Sequence, residues 1–429
     1  MTRPANDTAF QMATSNIRFG AGVTRELGWD VAELGARRVL LVTDPVMSGL
    51  PPVQTAVDSL RRANIEFDLY DRARVEPTDV SMLEAIEIAR GGQYDAFIAV
   101  GGGSSIDTAK VANLYSTWPA DFLQYVNAPL GAGQPIPGPL KPLIAIPTTA
   151  GTGSETTGVA IFDLTEMHAK TGIADRRLKP SLGLVDPDNT RTLPPAVAAA
   201  TGLDVLCHAL ESYTALPYTE RPLPQRPALR PAYQGSNPVS DVWSQRAIEL
   251  VALYLVRAFH DGGDEEARAN MLLASTYAGM GFGNAGVHLC HGMSYPVSGM
   301  VRNYQPPGYP VDHPLVPHGI SVALTAPAVF RFTARACPQR HLHAADLMGA
   351  EILGASPDDA GEFLSEMLVS LLKTLEAPNG LAAIGFTRDD APALARGTLP
   401  QHRVTKLSPR PASEHDLIKL FEDSLVLWD

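Results

Sequence analysis

The stretch YDAFIAVGGGSSID, residues 94–107, decides the fold. Seven residues rich in apolar and β-branched side chains run straight into three glycines, and a helix-compatible segment follows. A continuous apolar run of that length, closed by glycine, is the pattern of a strand buried on both faces. Outward from it the same alternation repeats. Residues 38–44 (RVLLVTD) and 66–70 read as strands, 53–63 and 82–90 as helices, and 143–147 (LIAIP) as another buried strand. Strands alternating with helices predict a mainly parallel sheet covered on both sides, an α/β unit over residues 1–193.

The glycines also predict chemistry. Gly101, Gly102 and Gly103 let backbone N–H groups approach a phosphate without a Cβ in the way, and the helix that follows aims its positive end at the same place. Ser104 and Asp107 have capping-box spacing, so part of this pattern is a helix start. A second loop, PTTAGTGSE (residues 147–155), places Thr148, Thr149 and Thr152 after the strand LIAIP, where hydroxyls suit a phosphate or ribose. Asp44, at the end of an early strand, is either a turn residue before Pro45 or the acceptor of a ribose hydroxyl, which favours NAD.

From residue 194 to 429 the pattern changes to amphipathic helices, expected over 196–213, 239–259, 265–280 and 360–375, so the second domain is expected to be all-α. Two segments, 216–237 and 299–317, are too rich in proline for helix interiors and read as loops. Asp204 and His208 stand four apart on one helix face within apolar neighbours, and buried polar groups need partners. His288, His291, His313 and His318 follow among small residues, and His260 lies nearby in sequence. One carboxylate with several imidazoles suits Fe(II), Zn(II) or another first-row ion. Cys207 and Cys290 each precede a candidate ligand and read as packing groups.

The 429 residues carry a net charge of -12, are 45% hydrophobic and 19% charged, and show no long basic run, which excludes nucleic acid and anionic membrane as expected partners. Three cysteines without CxxC spacing predict reduced thiols. No apolar run reaches the length of a membrane span, and the first residues lack a secretory or transit pattern. A soluble cytoplasmic protein is expected.

Taken together, GGGSSID, PTTAGTGSE, TGLDVLCHALES and HGMSYP…VPHG, in this order over nearly the whole chain, resemble the iron-containing alcohol dehydrogenase family, related in fold to dehydroquinate synthase. SNIRFGAGVT, PPVQTAVDSL, RVEPTD, RPAYQGSNPVSD, GFGNAGVHLCHGMSYPVSG and GTLPQHRVTKL are similar to its hydroxyacid-oxoacid transhydrogenase subgroup. The resemblance implies an α/β Rossmann-like N-terminal domain and an all-α C-terminal domain. It implies oxidation of 4-hydroxybutyrate or a related hydroxy acid, with the hydride passing through bound NAD to 2-oxoglutarate, and a homo-oligomer. A conventional NAD-dependent alcohol dehydrogenase is the alternative; a dehydroquinate synthase-like lyase or a non-catalytic NAD-binding protein fits less well. The implied metal ligands are Asp204, His208, His291 and His318. The implied dinucleotide contacts are Asp44, Gly102, Gly103, Ser104, Thr148, Thr149, Thr152 and Lys170. The family's proton-relay histidine is replaced by Tyr295, a poor base near neutral pH, so the relay falls to Tyr295, His288, His313 or solvent. For a dicarboxylate acceptor, Arg230 and Arg302 are candidate anchors, with solvated loop arginines as the alternative.

Overall fold

The computed structural model describes residues 5–167, 169–311 and 313–429. The chain forms two compact units: Ala13–Leu193, and Pro194–Asp429 with the N-terminal segment that ends at Met12. That segment, expected with the first unit, joins the second because its polar groups are satisfied there. The Asp7 carboxylate accepts from Arg221 at 2.5 Å and from Arg230 at 2.9 Å, and Gln11 and Gln234 exchange two hydrogen bonds.

In chain order the first unit contains β1 (Asn16–Phe19), α1 (Leu27–Glu33), β2 (Arg38–Val42), α2 (Pro51–Arg62), β3 (Glu66–Tyr70), α3 (Asp79–Gly92), β4 (Ala96–Gly101), α4 (Gly103–Thr117), β5 (Leu143–Pro147), β6 (Val159–Leu164), β7 (Ala169–Ala174) and β8 (Leu182–Val185). Six strands form a parallel sheet in the order β1-β8-β5-β4-β2-β3. The side-chain alternation of a strand sorts its residues between two cores. Val39, Leu41, Ile98 and Ile144 pack with Leu27, Val31, Val53 and Leu60 of α1 and α2. Leu40, Val42, Phe97 and Ala145 pack with Ala85, Ala89, Ile106 and Ala109 of α3 and α4. Both faces are covered, which is why these strands read as unbroken apolar runs. Each fully buried Leu or Ile contributes about 1.5–3 kcal/mol to holding the layers together.

β3 lies on one side of β2 and β4 on the other, so the strand order reverses at β2. In sheets of this kind, ligands bind beyond the carboxyl ends of the strands at such a point. β6 and β7 form a separate antiparallel hairpin that sequence reading did not anticipate. Most of its residues are buried, so no polar alternation marks it.

The second unit is helical: α5 (Pro195–Thr214), α6 (Pro238–His260), α7 (Glu265–Ala285), α8 (Leu289–Gly299), α9 (His318–Ala323), α10 (Ala326–Ala334), α11 (Pro338–Leu347), α12 (Ala360–Thr374), α13 (Ala391–Thr398), α14 (His402–Thr405) and α15 (Glu414–Asp423). Of the two proline-rich segments, 216–237 differs from a plain surface loop, because Tyr233–Asn237 is buried. Among the described residues no helix is long and apolar enough to cross a membrane.

Candidate active site

The second unit builds its site around α5, whose residues Leu203–Thr214 are buried. Asp204 and His208 lie one turn apart, and His291 on α8 comes against them. Ligand atoms of these three side chains fall within 4.8 Å of one another. The His208 and His291 rings lie 4.5 Å apart, and Phe282 of α7 stacks on His208 at 3.9 Å, fixing that ring's plane. His318, the first residue of α9, brings Nε2 to 3.8 Å from Asp204 Oδ1. This approach depends on Gly319: a Cβ there would lie 1.8 Å from the carbonyl oxygen of Ala200. Only a residue without a side chain lets α9 sit so close to α5.

The cluster meets a direct test of fitness for a cation. Asp204 Oδ1, His208 Nδ1 and His291 Nε2 are buried without hydrogen-bond partners. Three inward-facing polar atoms left in this state cost about 1–3 kcal/mol each unless something binds them. A divalent ion satisfies all three at once. The ionisation balance points the same way. Burial would raise the Asp204 carboxyl, yet the imidazoles of His208, His318 and His291 hold it well below the usual carboxylate range. Burial pulls His208 down to about 3, keeping it neutral, as a ligand must be.

Glu211 escaped sequence reading. It follows His208 by three residues and is fully buried on the same helix. Its Oε1 accepts from the backbone N–H groups of His288 at 3.0 Å, Cys290 at 2.7 Å and His291 at 3.4 Å. Its Oε2 meets His291 Nδ1 in a short contact. One carboxylate thereby neutralises the positive end of α8 and fixes the His291 ring with Nε2 free for a metal. Burial works against a charged His291, but Glu211 and Asp204 outweigh it and push it up to about 9, so an ion binding at Nε2 would have to displace a proton held between two carboxylates. The signal was present: positions 204, 208 and 211 share one helix face.

Other candidates are placed differently. His288 is fully buried; its Nε2 lies 3.0 Å from Thr214 Oγ1 and its Nδ1 3.2 Å from Glu211, so it supports the helix start and has no open path for a proton relay. Burial lowers it to about 4. His313 is half-buried in the loop before α9 and is outside the three-residue cluster, and His260 is exposed at the end of α6. Tyr295 accepts a hydrogen bond from Arg403 at 2.9 Å. The guanidiniums of Arg230 and Arg302, expected as substrate anchors, are instead held by Asp7 and Asp390, whose carboxylates already fill the planar fork. Cys207 and Cys290 are buried and their thiols pushed well up, as packing groups are.

In the first unit, Gly101 pairs with Pro147 across β4 and β5, so the two glycine-containing loops start side by side. Thr148 N–H donates to Gly101 O at 3.1 Å. A Cβ on Gly102 would be 3.3 Å from Thr149 Oγ1, and one on Gly103 would be 2.6 Å from Thr152 Cγ2. The capping box expected from Ser104 and Asp107 does not form. α4 starts at Gly103, its N-cap is Gly102, and no side chain caps it. Asp107 instead bonds Ser154 at 2.5 Å and the Ile161 N–H at 2.9 Å. The first-turn amides of α4, Ser104 among them, therefore have no side-chain cap, an arrangement that suits an anion. Asp44 Oδ1 accepts from Val46 and Met47 N–H, the turn role, while its Oδ2 lies towards Gly101. Lys170 on β7 is buried with its ammonium against Glu76 and Asp163, which occupies the charge expected near the nicotinamide ribose.

Comparison with known proteins agrees with this geometry. A model of the iron-containing alcohol dehydrogenase family matches residues 14–187, and a model of the C-terminal region of Fe-containing alcohol dehydrogenases matches residues 232–425. The chain is 60% identical to the mitochondrial hydroxyacid-oxoacid transhydrogenase of Bos taurus over 98% of this chain and 91% of that protein. It is 58% identical to the Homo sapiens protein of the same name over the same shares. Among solved structures it resembles a 1,3-propanediol oxidoreductase (TM-score 0.84, 30% identity, 97% of this chain and 100% of that one). An alcohol dehydrogenase from Oenococcus oeni is similar (TM-score 0.85, 27% identity, 97% and 100%). The expectation of a cytoplasmic protein is overturned, because these transhydrogenases are named as mitochondrial. An organelle address is read by receptors from a short signal, and the composition of the folded enzyme does not carry it.

Proposed function

The chain belongs to the iron-containing alcohol dehydrogenase family and is an oxidoreductase acting on CH–OH groups, and from that premise we propose that it is a hydroxyacid-oxoacid transhydrogenase. In this reading 4-hydroxybutyrate is oxidised to succinate semialdehyde while 2-oxoglutarate is reduced to D-2-hydroxyglutarate. The hydride lost by one acid is gained by the other, so no external oxidant is consumed. The observation that carries the chemistry is the convergence of Asp204 Oδ1, His208 Nδ1 and His291 Nε2, all buried without partners.

Asp204, His208, His291 and His318 would hold a divalent ion, Fe(II) by family and Zn(II) as the alternative for the same donors. Gly102, Gly103, Ser104, Thr148, Thr149 and Thr152 would hold the pyrophosphate of NAD, with Asp44 Oδ2 at the adenosine ribose. When bound, the ion lowers the pKa of a substrate hydroxyl and NAD carries the hydride. Glu211 keeps His291 oriented, and Phe282 holds the His208 ring in plane. With His288 enclosed, the hydroxyl proton leaves to solvent.

The test is to incubate the purified holoenzyme with 4-hydroxybutyrate deuterated at C4 and with 2-oxoglutarate, with and without added NAD. Deuterated 2-hydroxyglutarate formed at equal rates in both samples is expected. Strict dependence on free NAD, with no label transfer, would instead identify a conventional dehydrogenase.

A further inference from the structure

Arg403 lacks the carboxylate partner that holds Arg230 and Arg302. It stands on the short helix α14, whose neighbours Val404 and Thr405 press on Gly292, next to His291: a Cβ on Gly292 would be 2.8 Å from Thr405 Cγ2. Its guanidinium lies over the Tyr233 ring at 4.9 Å, and Nη2 donates to the Tyr295 hydroxyl at 2.9 Å. Nη1 is enclosed without a hydrogen-bond partner, and no carboxylate among the described residues forms an ion pair with this group. The contrast with Arg230 and Arg302, each clamped by an aspartate, is direct. A cation held in protein with two tyrosines and no carboxylate for company is short of an anion.

Its surroundings connect it to the metal-binding cluster by two routes. Tyr233 meets Phe282 edge-on at 6.4 Å, and Phe282 stacks on His208. Tyr295 lies one helical turn beyond His291 on α8. Arg403, Tyr233 and Tyr295 all fall within the stretches GTLPQHRVTKL, RPAYQGSNPVSD and GFGNAGVHLCHGMSYPVSG. The Tyr295 hydroxyl accepts from Arg403 and so keeps its own proton to donate.

We propose that Arg403 is the specificity-determining anchor for the carboxylate of the substrate remote from the reacting carbon, with Tyr295 as a second donor to it. The inference rests on the reading that the substrates are hydroxy and oxo acids. The two acids share the necessary geometry. In 4-hydroxybutyrate the carboxylate carbon is three bonds from the hydroxyl carbon; in 2-oxoglutarate the distal carboxylate carbon is three bonds from the keto carbon. One guanidinium can therefore hold both in turn with the reacting carbon in the same place. The role of Tyr295 changes accordingly, from proton relay to carboxylate positioning.

Two measurements on the holoenzyme decide it. First, the ratio of kcat/KM for 4-hydroxybutyrate to that for butane-1,4-diol, which lacks the carboxylate, is compared between wild type, Arg403→Met and Arg403→Lys. A charge-assisted pair is lost in Arg403→Met, so the ratio should fall about 10- to 100-fold, with partial recovery in Arg403→Lys. The KM for 2-oxoglutarate should rise by a similar factor. Second, binding of glutarate, a dicarboxylate that cannot react, is measured by calorimetry; wild type should bind it and Arg403→Met should not. Equal loss towards acid and diol, or glutarate binding that is absent from wild type or unchanged in Arg403→Met, overturns the proposal. If wild type forms no 2-hydroxyglutarate, the transhydrogenase reading fails on its own, and glutarate binding still decides the role of Arg403. Should Arg403→Met not fold, Arg403→Lys and Tyr295→Phe carry the same two comparisons, each expected to weaken glutarate binding.

Discussion

Glu211 shows how one buried side chain can set the properties of a site it does not line. Its carboxylate receives three backbone N–H groups at the start of α8 and the Nδ1 side of His291. Replacing it with glutamine keeps the shape but removes the charge that complements the helix end and the acceptor that fixes the imidazole tautomer. Glu211→Gln is expected to weaken metal affinity about 10- to 100-fold, the usual effect of losing such a partner, measured by chelator competition. Retention of wild-type affinity would show that His291 is oriented by packing alone. Asp204, His208 and His291 were legible as a set because acids and imidazoles in apolar segments need a reason to be there. Glu211 was harder to see, because its partners are backbone amides, which leave no trace in residue type.

At the scale of elements, close approach governs what the helices can present. α9 contributes His318 only because Gly319 passes Ala200 O at a distance no Cβ tolerates. Gly319→Ala should leave the helical content by circular dichroism intact, while α9 moves away and metal retention falls. Wild-type metal content in that variant would separate His318 from the ligand set. The strand ends follow the same logic in the first unit, where Gly103 and Thr152 interlock between two loops. The buried strands β2, β4 and β5 were legible as apolar runs. The hairpin of β6 and β7 was not, because burial on both sides erases alternation. The capping box at Ser104 was misread because Asp107 has a stronger use in Ser154 and the Ile161 amide.

For the whole molecule, the two kinds of ligand are expected to act on different units. A bound metal at 100 times its dissociation constant stabilises the unit that holds it by about 2.7 kcal/mol, and stripping it leaves three unpartnered polar atoms in the interior of the helical unit. Chelation should therefore increase hydrogen exchange in residues 204–211 and 287–295, whereas NAD should protect 101–106 and 148–154. Uniform exchange changes over both units on chelation would contradict a metal site confined to the helical unit. The amino-acid sequence alone determined the α/β-then-helical order and the glycine-rich loops, because those features are written in local periodicity and composition. It also marked the candidate ligand residues, since few other pressures place aspartate and histidine inside apolar helices. Tertiary structure alone decided which charges are spent and which are left over. Arg230, Arg302 and Lys170 are neutralised by carboxylates from distant parts of the chain, while Arg403 is left with two tyrosines. Electrostatic pairing depends on proximity in space, and spacing along the chain does not encode it.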